Sequence, residues 1–208
     1  MSRRVSENDK IELILRELAL KGPLALNQLT NSLVKEFGMK PITARSAVSR
    51  IVKSLRMGFF IKEVGIGPKG STVIDITPRC VAVCFLSIIE YDEPILDLDD
   101  CLTAIARRNP KLAPYTEALK VFDEIFNELL EEEEEEIGEE EEEEIHYDIL
   151  EDMFYIERHY LKDLELETWE DMLRILEDCV ISLLEEKKPE EYLNKICDKF
   201  KELSPIVR

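Results

Sequence analysis

The sequence predicts a mainly α-helical protein with a small β-hairpin. It divides into an N-terminal module of three helices and a hairpin, residues 1–80, and an acidic, all-helical module, residues 81–208. Charge is the first observation behind this reading. The formal net charge of −19 hides an asymmetry: residues 1–80 hold 14 Lys+Arg against 7 Asp+Glu, a net of +7, and residues 81–208 hold 13 against 39, a net of −26. The second is periodicity, because apolar residues recur at three- and four-residue steps along most of the chain. The third is one exception, Phe59–Ile76, where two short β-branched and aromatic runs flank a Gly-rich turn. With 208 residues and 45% apolar content the chain can build one large domain or two small ones, and wholesale disorder is excluded.

The first helix is expected to be capped by Asp9, with Glu12 as its capping-box partner. Ile11, Ile14, Leu15 and Leu18 form its apolar face, and Lys21-Gly22-Pro23 stops it. Asn27 can cap a second helix that buries Leu29, Leu33, Val34 and Phe37 and ends at Gly38. Thr43, two residues after Pro41, can cap the third. At 100° per residue, Ala44, Val48, Ile51, Val52 and Leu55 gather on one side of it. Ser46, Ser49, Arg50 and Lys53 gather on the other, flanked by Arg45 and Arg56, and no acid occurs between Lys40 and Lys62. Small hydroxyls that approach closely, together with cations that can fork onto guanine, suit a surface that lies against phosphates and reaches base edges. Phe59–Val64 then reads as a strand, Gly65–Ser71 as a turn and Thr72–Ile76 as a second strand.

The stretch Ala47–Ile61, the Gly-rich turn, and the Ile76-Thr77-Pro78 that follows resemble winged helix-turn-helix regulators of the MarR-like and PadR-like kind, over roughly residues 9–80. The resemblance is to the fold rather than to one family. It implies a protein that binds double-stranded DNA with its third helix as the recognition helix. Ser46, Ser49, Arg50 and Lys53 would be major-groove contacts, with Arg45 beside them. Lys69, at the tip of the wing, would be a minor-groove or phosphate contact.

In the acidic module Pro78 can start a helix through the apolar run Cys80–Ile89, which is apolar nearly all round and so expected to be buried. Asp99 or Asp100 can cap a short helix to Arg108. Four amphipathic stripes follow. They run from Ala118 to Leu130, from Ile145 through Ile149, Met153, Ile156 and Tyr160 to Leu164, from Trp169 to Leu184, and from Tyr192 to Leu203. They suit a bundle, or helices that complete one across the two-fold axis of a homodimer. Between the first two stripes, Glu131–Glu136 and Glu139–Glu144 place twelve glutamates in fourteen residues. Such a run is a solvated linker, or an acidic lure for a basic partner protein or for the chain's own recognition helix.

Enzymatic chemistry is not indicated. The two histidines, His146 and His159, form no nucleophile–base arrangement. Glu143-x-x-His146 lacks the second copy that a carboxylate-bridged metal pair needs. Gly65-Ile-Gly-Pro-Lys-Gly70 lacks the Lys-Ser/Thr ending of a phosphate loop. Five scattered cysteines without a CxxC suggest neither disulfides nor zinc, and Cys80 and Cys84 read as core. No cofactor or metal is expected. The absence of an apolar leader or spanning segment predicts a cytoplasmic protein without membrane contact. A single glutamine amid many Glu, Lys and Ile is a composition reported for proteins of hot environments. The expected function is that of a DNA-binding transcriptional regulator whose acidic helices dimerise or bind a partner. The alternative is a non-catalytic adaptor of replication, chromosome-segregation or transcription machinery.

Overall fold

The computed structural model describes residues 5–91, 95–113, 116–117, 120, 148–172 and 174–175. In chain order the elements are α1 (Glu7–Lys21), β1 (Leu24–Ala25), α2 (Leu26–Phe37), α3 (Pro41–Met57), β2 (Ile61–Ile66), β3 (Thr72–Ile76), α4 (Pro78–Tyr91), α5 (Leu98–Arg108) and α6 (Ile149–Ile156). A π-helical turn, Glu157–Leu161, continues α6. The described chain is thus mainly helical with one small antiparallel sheet, in the strand order β1-β3-β2. The sheet has one strand more than the expected hairpin. Leu24 and Ala25 pair with Ile74 and Val73, a strand too short to show alternation in the sequence.

The helix starts differ from expectation in four places, each for a local reason. Ser6, not Asp9, caps α1: its Oγ accepts from the Asp9 N–H at 3.0 Å, and Asp9 Oδ2 accepts from the Ser6 N–H at 2.7 Å. Asp9 is therefore the third-position partner of a capping box that starts earlier, and Glu12 faces Arg16 instead. The earlier start brings Glu7 into the first turn. In α2 the chain turns straight from β1 into helix at Leu26, so Asn27 lies inside the helix; Gln28 Oε1 accepts the Ala25 N–H at 2.8 Å. In α3, Pro41 takes the first helical position, where its missing N–H costs nothing, and Thr43 falls two residues inside. Asp97, rather than Asp99 or Asp100, caps α5 by accepting from the Asp100 N–H at 3.1 Å.

The hairpin also shifts. Phe59 and Phe60 finish α3 rather than open β2: the Phe59 N–H donates to Arg56 O at 3.1 Å and the Phe60 N–H to Leu55 O at 3.0 Å. Strand β2 instead runs on to Ile66, with a bulge between Glu63 and Gly65 where it pairs with β3. Thr77 ties the two ends together. Its Oγ1 donates to Phe59 O at 2.7 Å and accepts from the Cys80 N–H at 3.2 Å, so it grips the end of α3 while capping α4.

The expected apolar faces are buried: Ile11, Ile14, Leu15 and Leu18 on α1, and Ala44, Val48, Ile51, Val52 and Leu55 on α3. Helix α4 is buried continuously from Cys80 to Ser87. One connected cluster of buried side chains runs from Ile11 through Phe60 and Cys84 to Ile149 and Ile175, crossing position 80. The Phe60 and Phe154 rings lie 5.5 Å apart, and Asn8 Oδ1 accepts from the Ile149 N–H at 3.3 Å, so α6 rests on the N-terminal elements.

The stripe expected from Ile145 to Leu164 is interrupted. Ile149, Met153 and Ile156 are buried, but Tyr160 and Leu164 are exposed, and Leu161 is buried in their place. The π turn inserts one residue, which rotates the buried face from the fourth residue after Ile156 to the fifth. The stripe from Ala118 to Leu130, the glutamate run 131–144, the Glu143–His146 pair, and all of the last two stripes beyond Ile175, with Cys179 and Cys197, lie outside the described residues. Among the described residues no helix is long and apolar enough to cross a membrane.

Candidate nucleic-acid interface

Burial of its aliphatic face fixes α3 against α1 and α2 and turns Arg45, Ser46, Ser49, Arg50 and Lys53 to solvent; Lys69 is exposed at the β2–β3 turn. The turn is tight. The Gly67 N–H donates to Ser71 O at 2.7 Å, and Lys69 and Gly70 both take left-handed backbone, with φ of 60° and 71°. Lys69 thereby stands at the tip.

The structure divides the six expected residues into two groups. Arg45, Ser49 and Lys69 line one cleft of about 520 Å³, together with Asn27, Thr30 and Asn31 of α2 and Ser71 and Thr72 beside the turn. Among the described residues no carboxylate lines it. A shallower hollow of about 470 Å³ continues along the helix past Ser49 to Lys53, Arg56 and Met57. Ser49 belongs to both. These residues form one ridge of α3, at four-residue steps. Among the described residues, Arg45, Lys53 and Lys69 form no ion pair, whereas Arg56 lies 2.6 Å from Glu63.

Ser46 and Arg50 sit one residue further round and line neither hollow. Ser46 Oγ donates back to Ile42 O at 3.1 Å. Arg50 faces the first turn of α1, where Nε donates to Glu7 Oε1 at 3.1 Å and Nη2 donates to Oε1 at 2.7 Å and Oε2 at 2.8 Å. The guanidinium fork is therefore engaged by a carboxylate of its own chain. The acid-free stretch from Lys40 to Lys62 hid this, because the partner comes from 43 residues away.

Asn27, Thr30 and Asn31 were not expected here. Asn27 and Asn31, one turn apart, mark the exposed side of α2, a signal that becomes readable once the helix is seen to start at Leu26. Large apolar side chains flank the same elements: Ile42 is 83% exposed at the start of α3, Ile66 is 82% exposed at the end of β2, and Met57 and Phe59 are exposed at the end of α3. Among the described residues, no group of three His, Cys, Asp or Glu side chains could hold a metal ion. No protein-family model matches the chain, and no curated protein or solved structure matches it significantly.

Proposed function

We propose that the chain is a cytoplasmic, non-catalytic transcriptional regulator that binds double-stranded DNA as a homodimer. In this reading α3 lies in the major groove, with the β2–β3 turn against the adjacent backbone. The observation that carries it is the convergence of Arg45, Ser49 and Lys69, from two elements far apart in the chain, on one cleft that no carboxylate of the described residues lines. Two cations, hydroxyls and amides around a hollow suit a phosphate and the groove beside it. The element order α1-β1-α2-α3-β2-β3 supports the winged helix-turn-helix that the sequence resembles. The −26 of residues 81–208 does not preclude it, since charges beyond about 10 Å are largely screened at 0.1 M salt.

The test is binding of the full chain to a pool of random duplexes at low and physiological salt, followed by selection of the bound sequences. The reading expects affinity that falls steeply with salt and enrichment of a two-fold motif with half-sites about 34 Å apart. A chain that binds no duplex at low salt overturns it. The adaptor reading would then take its place, favoured by the exposed Ile42, Met57, Phe59 and Ile66 beside the same surface.

A further inference from the structure

We infer that Glu7 is a specificity-determining residue of the α3 surface: by holding the Arg50 fork it withholds one cation from duplex of arbitrary sequence. The inference rests on the DNA-binding reading above. Glu7 and Arg50 are joined by three hydrogen bonds of 2.7 to 3.1 Å, with both side chains open to solvent, 39% and 66% exposed. The edge engaged, Nε and Nη2, is one that can fork onto two acceptors of a guanine or onto a phosphate. Lys10 Nζ lies 3.4 Å from Glu7 Oε2, so the carboxylate keeps a cation beside it when Arg50 leaves.

While the pair is closed Arg50 brings no net positive charge to the surface. A passing phosphate must displace a carboxylate that already satisfies the same donors, and it then faces that carboxylate. The exchange gains little, so on arbitrary duplex Arg50 stays with Glu7 and releases no counterion. A guanine presented in register offers two neutral acceptors to the fork and leaves Glu7 to Lys10. The Ser6–Asp9 capping box sets this up, since only the earlier helix start places Glu7 in the first turn of α1.

The experiment measures duplex affinity against salt for the full-length wild type, Glu7→Gln, Arg50→Ala and the double variant, on random duplex and on the selected motif. Glu7→Gln keeps the side-chain shape and frees the fork. Its affinity for random duplex at low salt is expected to rise about fivefold, the size of an exposed ion pair. Its log–log salt slope should steepen by about 0.9, one phosphate. Affinity for the motif should change less, so the ratio of motif to random binding falls. In the Arg50→Ala background the Glu7 change should leave the slope alone. An unchanged slope in Glu7→Gln overturns the inference while the DNA reading stands. So does an equal steepening with and without Arg50, which would make Glu7 an acid acting through the general field. A wild type that binds neither duplex overturns the DNA reading and the inference with it.

Discussion

Arg79 Nη1 lies 2.9 Å from Glu157 Oε1, and the same guanidinium donates to the carbonyls of Leu161, at 3.1 Å, and Leu164, at 2.7 Å. Counted along the chain, Arg79 belongs to the basic N-terminal stretch; in space it is a clamp for the π turn after α6. Both side chains are mostly buried, 13% and 18% exposed. Removing the cation would strand a carboxylate and two carbonyls. Arg79→Ala is expected to lower unfolding stability by about 3 kcal/mol. Glu157→Gln, which leaves the carbonyl bonds in place, should cost about 1 kcal/mol. Urea denaturation of the two variants measures both, and a loss below about 0.5 kcal/mol for Arg79→Ala would show that the clamp does not hold α6.

Much of this architecture is legible in the residues because it depends on periodicity. Ile11, Ile14, Leu15 and Leu18, or Val48, Ile51, Val52 and Leu55, can share a buried face only in a helix. What was not legible has two physical sources. Caps are chosen by competition among neighbours, and Ser6 wins over Asp9 by making Asp9 its partner. Long-range pairs leave no local trace: the Glu7–Arg50 fork and the Arg79 clamp join residues 43 and 78 apart. The candidate site shows the same division. The cationic ridge of α3 is readable from spacing, while the contribution of α2 and the capture of Arg50 are not.

The end of α3 places its left-handed residue after the glycine rather than on it. Gly58 has an ordinary φ of −86°, and the left-handed position, φ 57°, falls to Phe59, whose side chain is 69% exposed. Gly58 is required for space instead, because a Cβ there would come 2.3 Å from Phe60 Cε2. Gly58→Ala is therefore expected to destabilise by about 1–3 kcal/mol through overpacking against a buried ring. Phe59→Gly should stabilise by up to about 1 kcal/mol by relieving a backbone that disfavours a side chain. Thermal denaturation of both variants reads the signs. Destabilisation by Phe59→Gly would mean that the aromatic side chain contributes packing worth more than the strain.

The thiols of Cys80, Cys84 and Cys101 are buried. Burial is the largest influence on Cys101, with Asp97 adding to it, and its pKa is pushed up to about 12. The hydrogen bond to Cys80 and full burial raise Cys84 well above the ordinary thiol range. At pH 8 almost no thiolate exists at either position, so alkylation must await unfolding. Peptide mapping after iodoacetamide treatment at pH 8 should find Cys84 and Cys101 unmodified in the native protein and modified in denaturant. Because reaction runs through the unfolded chain, the native rates should level off above about pH 8.5, the ordinary thiol pKa. A tenfold rise per unit that continues above about pH 9 would mean that these thiols, with their raised pKa, react in the folded protein.

The two ridges of α3 predict two kinds of binding defect. Arg45 and Lys69 line the open cleft without an ion-pair partner among the described residues, so each is free to neutralise a phosphate. Arg45→Ala and Lys69→Ala are expected to weaken binding to every duplex alike and to flatten the log–log salt slope by about 0.9 each. Arg50→Ala should differ, because Glu7 already balances Arg50. Its slope on random duplex should barely change, while affinity for a motif with guanine in register falls by about 1–3 kcal/mol. Fluorescence anisotropy across a salt series, on random and selected duplex, separates the patterns. Equal losses and equal slope changes for all three variants would place Arg50 on the backbone with the others and leave base readout to Ser46, Ser49 and Lys53.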